Sequence, residues 1–291
     1  MKLLTVATLL LFSFSSAYTQ DQPLILMTTR TEGPPEPRLE AIALIEHGQF
    51  KTPGGLKNKD SAAFIKKYLP NGQKFFVIFG GGAAGTINLT ETGLGCNDLI
   101  YAIGPFNPGS LGITRIHGAV QGLATNSDRI ARAEIWRRAP SADERAAAVE
   151  LARQAFSSKG VPATQAAKLE TVNLTAIDVD SDNRAELVGT FRLSQPDANR
   201  PPRYLFLIAE GEGTNYHAVF SDYHYFPKSE VYSSGEESLI DYLDLDRDGD
   251  AEIVTAYNTA TAGGYHIYRR VQGAWKIVYD YSTDLCISEG G

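Results

Sequence analysis

The chain has 291 residues, of which 43% are hydrophobic and 21% charged, and its formal net charge is -7 at pH 7. This length is enough for one large domain, or two small ones, with a hydrophobic core. The acidic balance argues against nucleic acid or an anionic membrane surface as a partner, because both are negatively charged themselves.

The first 17 residues have the pattern of a secretory signal peptide. Lys2 precedes an apolar stretch over residues 3–14, and small residues follow as far as Ala17. An apolar helix of about twelve residues would span roughly 18 Å, whereas the hydrocarbon core of a bilayer is about 30 Å thick. We therefore expect cleavage near Ala17, a secreted or periplasmic mature protein, and no stable membrane insertion.

Two segments follow before the repetitive part of the chain. Residues 18–38 are rich in proline and predict an extended lead-in. Residues 39–140 predict a mixed α+β region with a helix over residues 60–68. The predicted strands of this region are residues 74–79, 86–90, 99–103, 112–117 and 132–136. The first two strands form a hairpin through a glycine-rich turn over residues 80–85.

That turn contains Gly80, Gly82 and Gly85 in the spacing of the dinucleotide-binding fingerprint. The fingerprint needs a helix to follow it, because the helix N-terminus holds the pyrophosphate. A strand is predicted there instead, so we interpret the glycines as a hairpin turn.

A long helix is predicted over residues 141–160. Ser141 and Glu144 have the spacing of a capping box, and Gly160 followed by Pro162 ends the helix. This helix separates the mixed region from a repetitive β region.

The chain has two cysteines, Cys96 and Cys286. In an exported protein the favoured reading is one long-range disulfide between them. Neither cysteine has a second cysteine or clustered histidines beside it, so their spacing does not predict a zinc site.

Residues 165–285 contain two similar units, offset by the 66 residues between Asp178 and Asp244. Each unit predicts a four-stranded antiparallel meander with an acidic loop between its first and second strands. The predicted strands are residues 174–179, 187–193, 203–209 and 216–223, then 239–245, 253–257, 265–270 and 275–281. The predicted fold class is therefore mainly β with a few helices. The C-terminal meanders resemble β-propeller blades, and a mixed α+β region precedes them.

The two acidic loops carry the strongest functional signal in the sequence. Each is nine residues long and has carboxylates at positions one, three, five and nine, which repel one another unless a cation lies among them. Hard oxygen ligands of this kind suit Ca²⁺. The candidate ligands are Asp178, Asp180, Asp182, Arg184 and Glu186 in the first loop, and Asp244, Asp246, Asp248, Asp250 and Glu252 in the second. We therefore expect two Ca²⁺ ions.

Position seven of each loop, Arg184 or Asp250, would contribute its backbone carbonyl oxygen. Position six is Asn183 in one loop and Gly249 in the other, and both residue types tolerate the left-handed conformation of a sharp turn. Neither loop is an EF-hand, because position twelve is Gly189 or Thr255 where that motif needs glutamate.

This loop pattern, followed by the aliphatic pairs Leu187-Val188 and Ile253-Val254, resembles the calcium loop of FG-GAP or VCBS-type repeats, as found in the integrin α-subunit propeller. The resemblance implies structural Ca²⁺ held at the edge of a blade. A closed propeller needs about four blades or more, and the sequence has two such loops. Closure would require metal-free blades from the first half, a partner chain, or another stacking of the two sheets.

The sequence thus favours an exported calcium-binding β-repeat protein that acts as a binding or adhesion module, with no catalysis of its own. Its partner would be an extracellular protein or polysaccharide. The alternative is a secreted hydrolase or lyase that acts on polysaccharide with paired carboxylates such as Glu210, Glu212 or Asp222. A third possibility is that the function lies in the first half of the chain.

Overall fold

The computed structural model describes residues 23–30, 37–54, 58–95, 99–109, 122–128, 136–194, 202–225, 236–258 and 262–284. The predicted signal peptide, the predicted strand over residues 112–117 and most of that over 132–136 lie outside these ranges. Cys96 and Cys286 also lie outside them, so their pairing stays a prediction.

Nine antiparallel strands of the described residues form one sheet, here called the N-terminal sheet. Its strands are β1 (Leu24–Arg30), β2 (Arg38–Glu46), β3 (Gln49–Lys51), β4 (Lys74–Phe79), β5 (Gly82–Asn88), β6 (Glu91–Leu94), β7 (Ile100–Ile103), β8 (Phe106–Pro108) and β9 (Leu123–Thr125). Their spatial order is β6-β7-β2-β1-β9-β4-β5-β8, with β3 also paired to β2. Helix α1 (Asn58–Tyr68) packs Phe64 into the apolar core on this sheet.

The lead-in predicted over residues 18–38 contains β1, which lies in the interior of the N-terminal sheet between β2 and β9. Ile25, Leu26 and Met27 are completely buried there. The predicted helix over residues 60–68 is confirmed. The predicted hairpin is confirmed as well, but its turn is tighter, because β5 already begins at Gly82.

Helix α2 (Ala142–Ser158) follows, and the predicted capping box is present. The Ser141 hydroxyl accepts the backbone N–H of Glu144, and the Glu144 carboxylate accepts the N–H of Ser141. A single further turn, α3 (Ala163–Ala166), leads into the repetitive region.

The repetitive region forms two four-stranded antiparallel meanders, as predicted. The middle sheet consists of β10 (Glu170–Ile177), β11 (Glu186–Leu193), β12 (Arg203–Glu212) and β13 (Asn215–Tyr225). The C-terminal sheet consists of β14 (Glu236–Leu243), β15 (Glu252–Asn258), β16 (Ala262–Val271) and β17 (Ala274–Asp284). The predicted fold class, mainly β with C-terminal four-stranded meanders, is confirmed.

The C-terminal sheet is covered on both faces. Successive residues of a strand point to opposite sides of the sheet. On β15, Ile253 packs with the middle sheet and its neighbour Val254 packs with the N-terminal sheet. The other face of the middle sheet is covered by α2, where Phe156 packs with Phe191. The described helices include none that is both long and apolar enough to cross a bilayer.

Candidate metal centre

The two acidic loops occupy equivalent places in the two repeats. The first loop (residues 178–186) joins β10 to β11, and the second loop (residues 244–252) joins β14 to β15. In each case the last residue of the loop, Glu186 or Glu252, is also the first residue of the next strand. The predicted location of the loops is therefore confirmed.

The backbone has positive φ at the same two positions of both loops. Positions four and six have positive φ in each: 62° at Ser181, 65° at Asn183, 65° at Arg247 and 105° at Gly249. The left-handed turn expected at position six is confirmed. The left-handed conformation at position four was not predicted, because serine and arginine give no sequence signal for it.

The same carboxylates hold the backbone in both loops. The position-nine carboxylate accepts the N–H of position two: Val179 to Glu186 Oε2 at 2.9 Å, and Leu245 to Glu252 Oε2 at 2.7 Å. The position-one carboxylate accepts the N–H of position six: Asn183 to Asp178 Oδ2 at 3.1 Å, and Gly249 to Asp244 Oδ2 at 3.1 Å. The position-five carboxylate accepts the N–H of position seven: Arg184 to Asp182 Oδ1 at 2.7 Å, and Asp250 to Asp248 Oδ1 at 3.0 Å. The two loops share their acidic positions and the alanine at position eight, and these three hydrogen bonds form in both of them.

Six of the ten predicted ligand residues come together in two groups. Within each group the carboxylate oxygens lie within 4.8 Å of one another, and the groups are Asp178, Asp180 and Asp182, and Asp244, Asp246 and Glu252. Such groups could hold a metal ion. Arg184, Glu186, Asp248 and Asp250 are outside these two groups, and the Arg184 guanidinium forms an ion pair with Asp182 on the protein surface.

The position-nine carboxylates are buried at the start of a strand. Burial raises the pKa of Glu186 to about 8 and that of Glu252 to about 7, since a carboxylate loses its hydration there. The nearby Asp180 and Asp246 charges contribute to the raised pKa values of Glu186 and Glu252, respectively. A cation within the loop would favour the ionised carboxylates, so the donor set and its charge suit a hard divalent ion.

Two arginines that the sequence analysis did not single out contact these loops. Arg269 lies 2.5 Å from Glu252 Oε1 and 3.1 Å from Asp246 Oδ2. Arg270 lies 3.1 Å from Asp180 Oδ2 and 2.7 Å from Glu210 Oε1. Arg269 could have been predicted from the pairing of the adjacent strands β15 and β16. Ile253 pairs with Tyr268, so the next residue, Arg269, stands beside Glu252.

The two loops also contact each other. Ala251 donates its N–H to the Val179 carbonyl oxygen at 2.8 Å, which joins the second loop to the first. Arg270 adds a second link, because its guanidinium also lies 3.5 Å from Asp250 in the second loop. The loops therefore form one continuous acidic surface at one end of the stacked sheets.

Two of the three carboxylates proposed for the alternative hydrolase have partners of their own. Glu210 binds Arg270 and accepts the Trp275 indole N–H at 2.8 Å, whereas Asp222 lies 3.2 Å from His224 Nε2. In the register of β12 and β13, Asp222 stands opposite Phe206, four residues from Glu210. Their backbones are thus roughly 13 Å apart along the sheet. Glu212 is exposed at the hairpin end.

A second polar cluster lies between the sheets at the end opposite the loops. Glu237 is 2% exposed, and its Oε1 atom accepts the hydroxyls of Thr255 and Tyr268. The same atom lies 3.0 Å from His266 Nδ1, and the His266 ring stacks on Tyr257. Sequence reasoning missed this cluster, since its members are brought together by strand register.

The glycine-rich turn binds a carboxylate of this chain. Gly80 and Gly81 donate their N–H groups to Asp241 at 2.7 and 3.2 Å, and Tyr242 donates its hydroxyl to the Gly80 carbonyl. The interpretation of these glycines as a hairpin turn is confirmed. The turn joins the N-terminal sheet to β14.

Comparisons with models of known protein families, with curated proteins and with solved structures found no match for this chain.

Proposed function

We propose that this chain is an exported calcium-binding β-repeat protein of the FG-GAP or VCBS type, which acts as a binding or adhesion module without catalysis of its own. The observation that carries the proposal is the repetition of one loop geometry at two places, with the same carboxylates on the same backbone N–H groups. Oxygen-only donors favour Ca²⁺ over Zn²⁺, which prefers nitrogen and sulfur ligands.

In this proposal Ca²⁺ has a structural role. Asp178, Asp180 and Asp182 would hold one ion, and Asp244, Asp246 and Glu252 the other. Each ion would cancel the repulsion among the carboxylates of its loop and fix the turn between two strands. The two linked loops would then present a rigid surface at one end of the stacked sheets, and rigidly held loops are common binding surfaces.

The metal is tested on the mature chain by calorimetric titration with CaCl₂ and by thermal melting in Ca²⁺ and in chelator. We expect two binding sites and a lower melting temperature in chelator. At a free Ca²⁺ concentration of 100 Kd, each site adds about 2.7 kcal/mol to the free energy of unfolding. Asp244→Asn should remove one site and leave the other. Absence of binding heat together with equal melting temperatures in Ca²⁺ and chelator would overturn the proposal.

The binding role is tested separately, by retention of the mature chain on immobilised polysaccharides and extracellular matrix proteins. We expect retention that chelator abolishes and Ca²⁺ restores. The double variant Asp178→Asn/Asp244→Asn serves as the matched control, and equal retention of that variant and the wild type would contradict a calcium-dependent surface.

A further inference from the structure

In both acidic loops, an arginine of β16 lies beside the position-three and position-nine carboxylates. In the second loop, Arg269 contacts position three, Asp246, and position nine, Glu252. In the first loop, Arg270 contacts position three, Asp180, at 3.1 Å and lies 4.0 Å from position nine, Glu186. The two arginines are only 17–19% exposed, so solvent screens these contacts less than it screens surface ion pairs.

The two arginines reach their loops from different places. Arg269 belongs to the same sheet as the second loop, whereas Arg270 crosses from β16 to the first loop in the middle sheet. Glu210 occupies the position in the middle sheet that is equivalent to Arg269. The residue after the first loop, Leu187, pairs with Ala209, and the residue after the second loop, Ile253, pairs with Tyr268. Glu210 and Arg269 directly follow these two partners. Glu210 accepts an N–H of Arg270 at 2.7 Å and thereby holds this arginine over the first loop.

We propose that Arg269 and Arg270 are tethered counter-cations that compete with the metal ion, Arg269 for Asp246 and Glu252 of the second loop and Arg270 for Asp180 of the first loop. This inference rests on the proposed calcium function. Without metal, each guanidinium offsets part of the carboxylate repulsion and keeps its loop in shape. With metal, the ion must displace the guanidinium from these oxygens, so the arginine lowers the affinity and sets the Ca²⁺ concentration at which the loop fills.

The second loop gives the sharper test, because Arg269 contacts one loop whereas Arg270 contacts both. The experiment compares the mature wild-type chain with Arg269→Gln, Arg269→Lys and Lys276→Gln by calorimetric titration with CaCl₂. Lys276 is exposed and stands directly opposite Arg269 on β17, so its loss removes the same charge nearby without removing the contact. Melting in chelator accompanies each titration and shows whether the variant folds.

We expect Arg269→Gln to bind Ca²⁺ about tenfold more tightly at one of the two sites, a change of about 1.4 kcal/mol. Its melting temperature in chelator should fall, and the rise on adding Ca²⁺ should exceed that of the wild type. Arg269→Lys should lie between the two, since lysine keeps the charge but loses the planar fork. Lys276→Gln should behave as the wild type.

The outcomes separate this inference from the proposed function. Two Ca²⁺ sites with equal affinities in the wild type and Arg269→Gln would overturn the competition and leave the calcium function standing. Equal tightening in Arg269→Gln and Lys276→Gln would also overturn it, because net charge alone would then account for the effect. Absence of Ca²⁺ binding in every variant would overturn the proposed function, and the competition with it.

Discussion

The two C-terminal repeats have similar acidic loops, but their sheets are covered by different parts of the chain. The middle sheet packs its outer face on α2, and the C-terminal sheet packs its outer face on the N-terminal sheet. The loops have three hydrogen bonds in common because these bonds form within nine residues. The outer contacts differ because each depends on a partner elsewhere in the chain, so a repeat can keep its local chemistry while its surroundings diverge.

The two repeats differ most clearly in the residue that lies three positions before each acidic loop. The C-terminal sheet has Asp241 there, opposite Val254, and the middle sheet has Thr175, opposite Val188. Asp241 is completely buried and accepts three backbone N–H groups, two of them from the glycine turn of the N-terminal sheet. Arg137 lies close enough to favour its ionised form, although burial raises the pKa of Asp241 to about 6.

Asp241→Ala should therefore destabilise the protein strongly. It leaves three N–H groups without their acceptor in the interior, and we expect the free energy of unfolding at pH 7 to fall by about 3 kcal/mol. The matched change in the middle sheet, Thr175→Ala, should cost less than about 1 kcal/mol. Urea denaturation of both variants measures the difference. Equal losses would show that the contact with the N-terminal sheet adds no stability.

The corresponding outer contact of the middle sheet is ionic. Glu144, at the start of α2, forms a two-pronged ion pair with Arg138 at 2.7 Å on each prong. Tyr216 of β13 donates its hydroxyl to the carbonyl of Ala185 at the end of the first loop, and this hydroxyl also lies 3.4 Å from the Glu144 carboxylate. The hydrogen bonds from Arg138 lower the pKa of Glu144 to about 2, against the effect of burial.

The two outer contacts should thus respond to pH with opposite signs. A lowered pKa means that the Glu144 contribution is fully present above about pH 4.5 and is lost as the pH falls towards 2. For Asp241 the raised pKa means that its contribution declines as the pH rises from about 4 to about 6. Glu144→Gln should cost about 1.5 kcal/mol at pH 7 and clearly less at pH 2, where about half of the Glu144 carboxyl is protonated.

Denaturation of the wild type and Glu144→Gln from pH 2 to pH 7 measures this effect, with Glu150→Gln, an exposed change on the same helix, as the control. A constant difference between the wild type and Glu144→Gln across that range would contradict the ionic origin of the contact.

The sequence predicted those features that depend on neighbours along the chain. The capping box of α2, the two meanders and the left-handed Asn183 and Gly249 all follow from residue types within a few positions of one another. The contacts that distinguish the two repeats were not predictable in this way. Asp241 meets a turn 160 residues away, and Arg270 meets Asp180 90 residues away. Strands of three or four residues, such as β8 and β9, are also too short to show an alternating pattern.

Substitutions at position six of the loops should change stability least, and they test the left-handed turn that both loops have. Gly249 has φ of 105°, which side chains rarely adopt, whereas Asn183 has φ of 65°, within the left-handed region that asparagine tolerates. A Cβ atom at Gly249 would meet nothing within 4 Å, so any cost of a substitution comes from the backbone alone. We expect Gly249→Ala to cost about 1 kcal/mol and Gly249→Asn about half of that.

The reciprocal change in the first loop completes this test. Asn183→Gly should alter stability by less than about 0.5 kcal/mol, because the relief of the left-handed conformation is offset by the greater freedom of glycine in the unfolded chain. Thermal melting in chelator measures all three variants without a contribution from bound metal. A larger cost for Gly249→Asn than for Gly249→Ala would mean that the second loop requires its φ of 105° and that the two loops differ in their turns as well as in their surroundings.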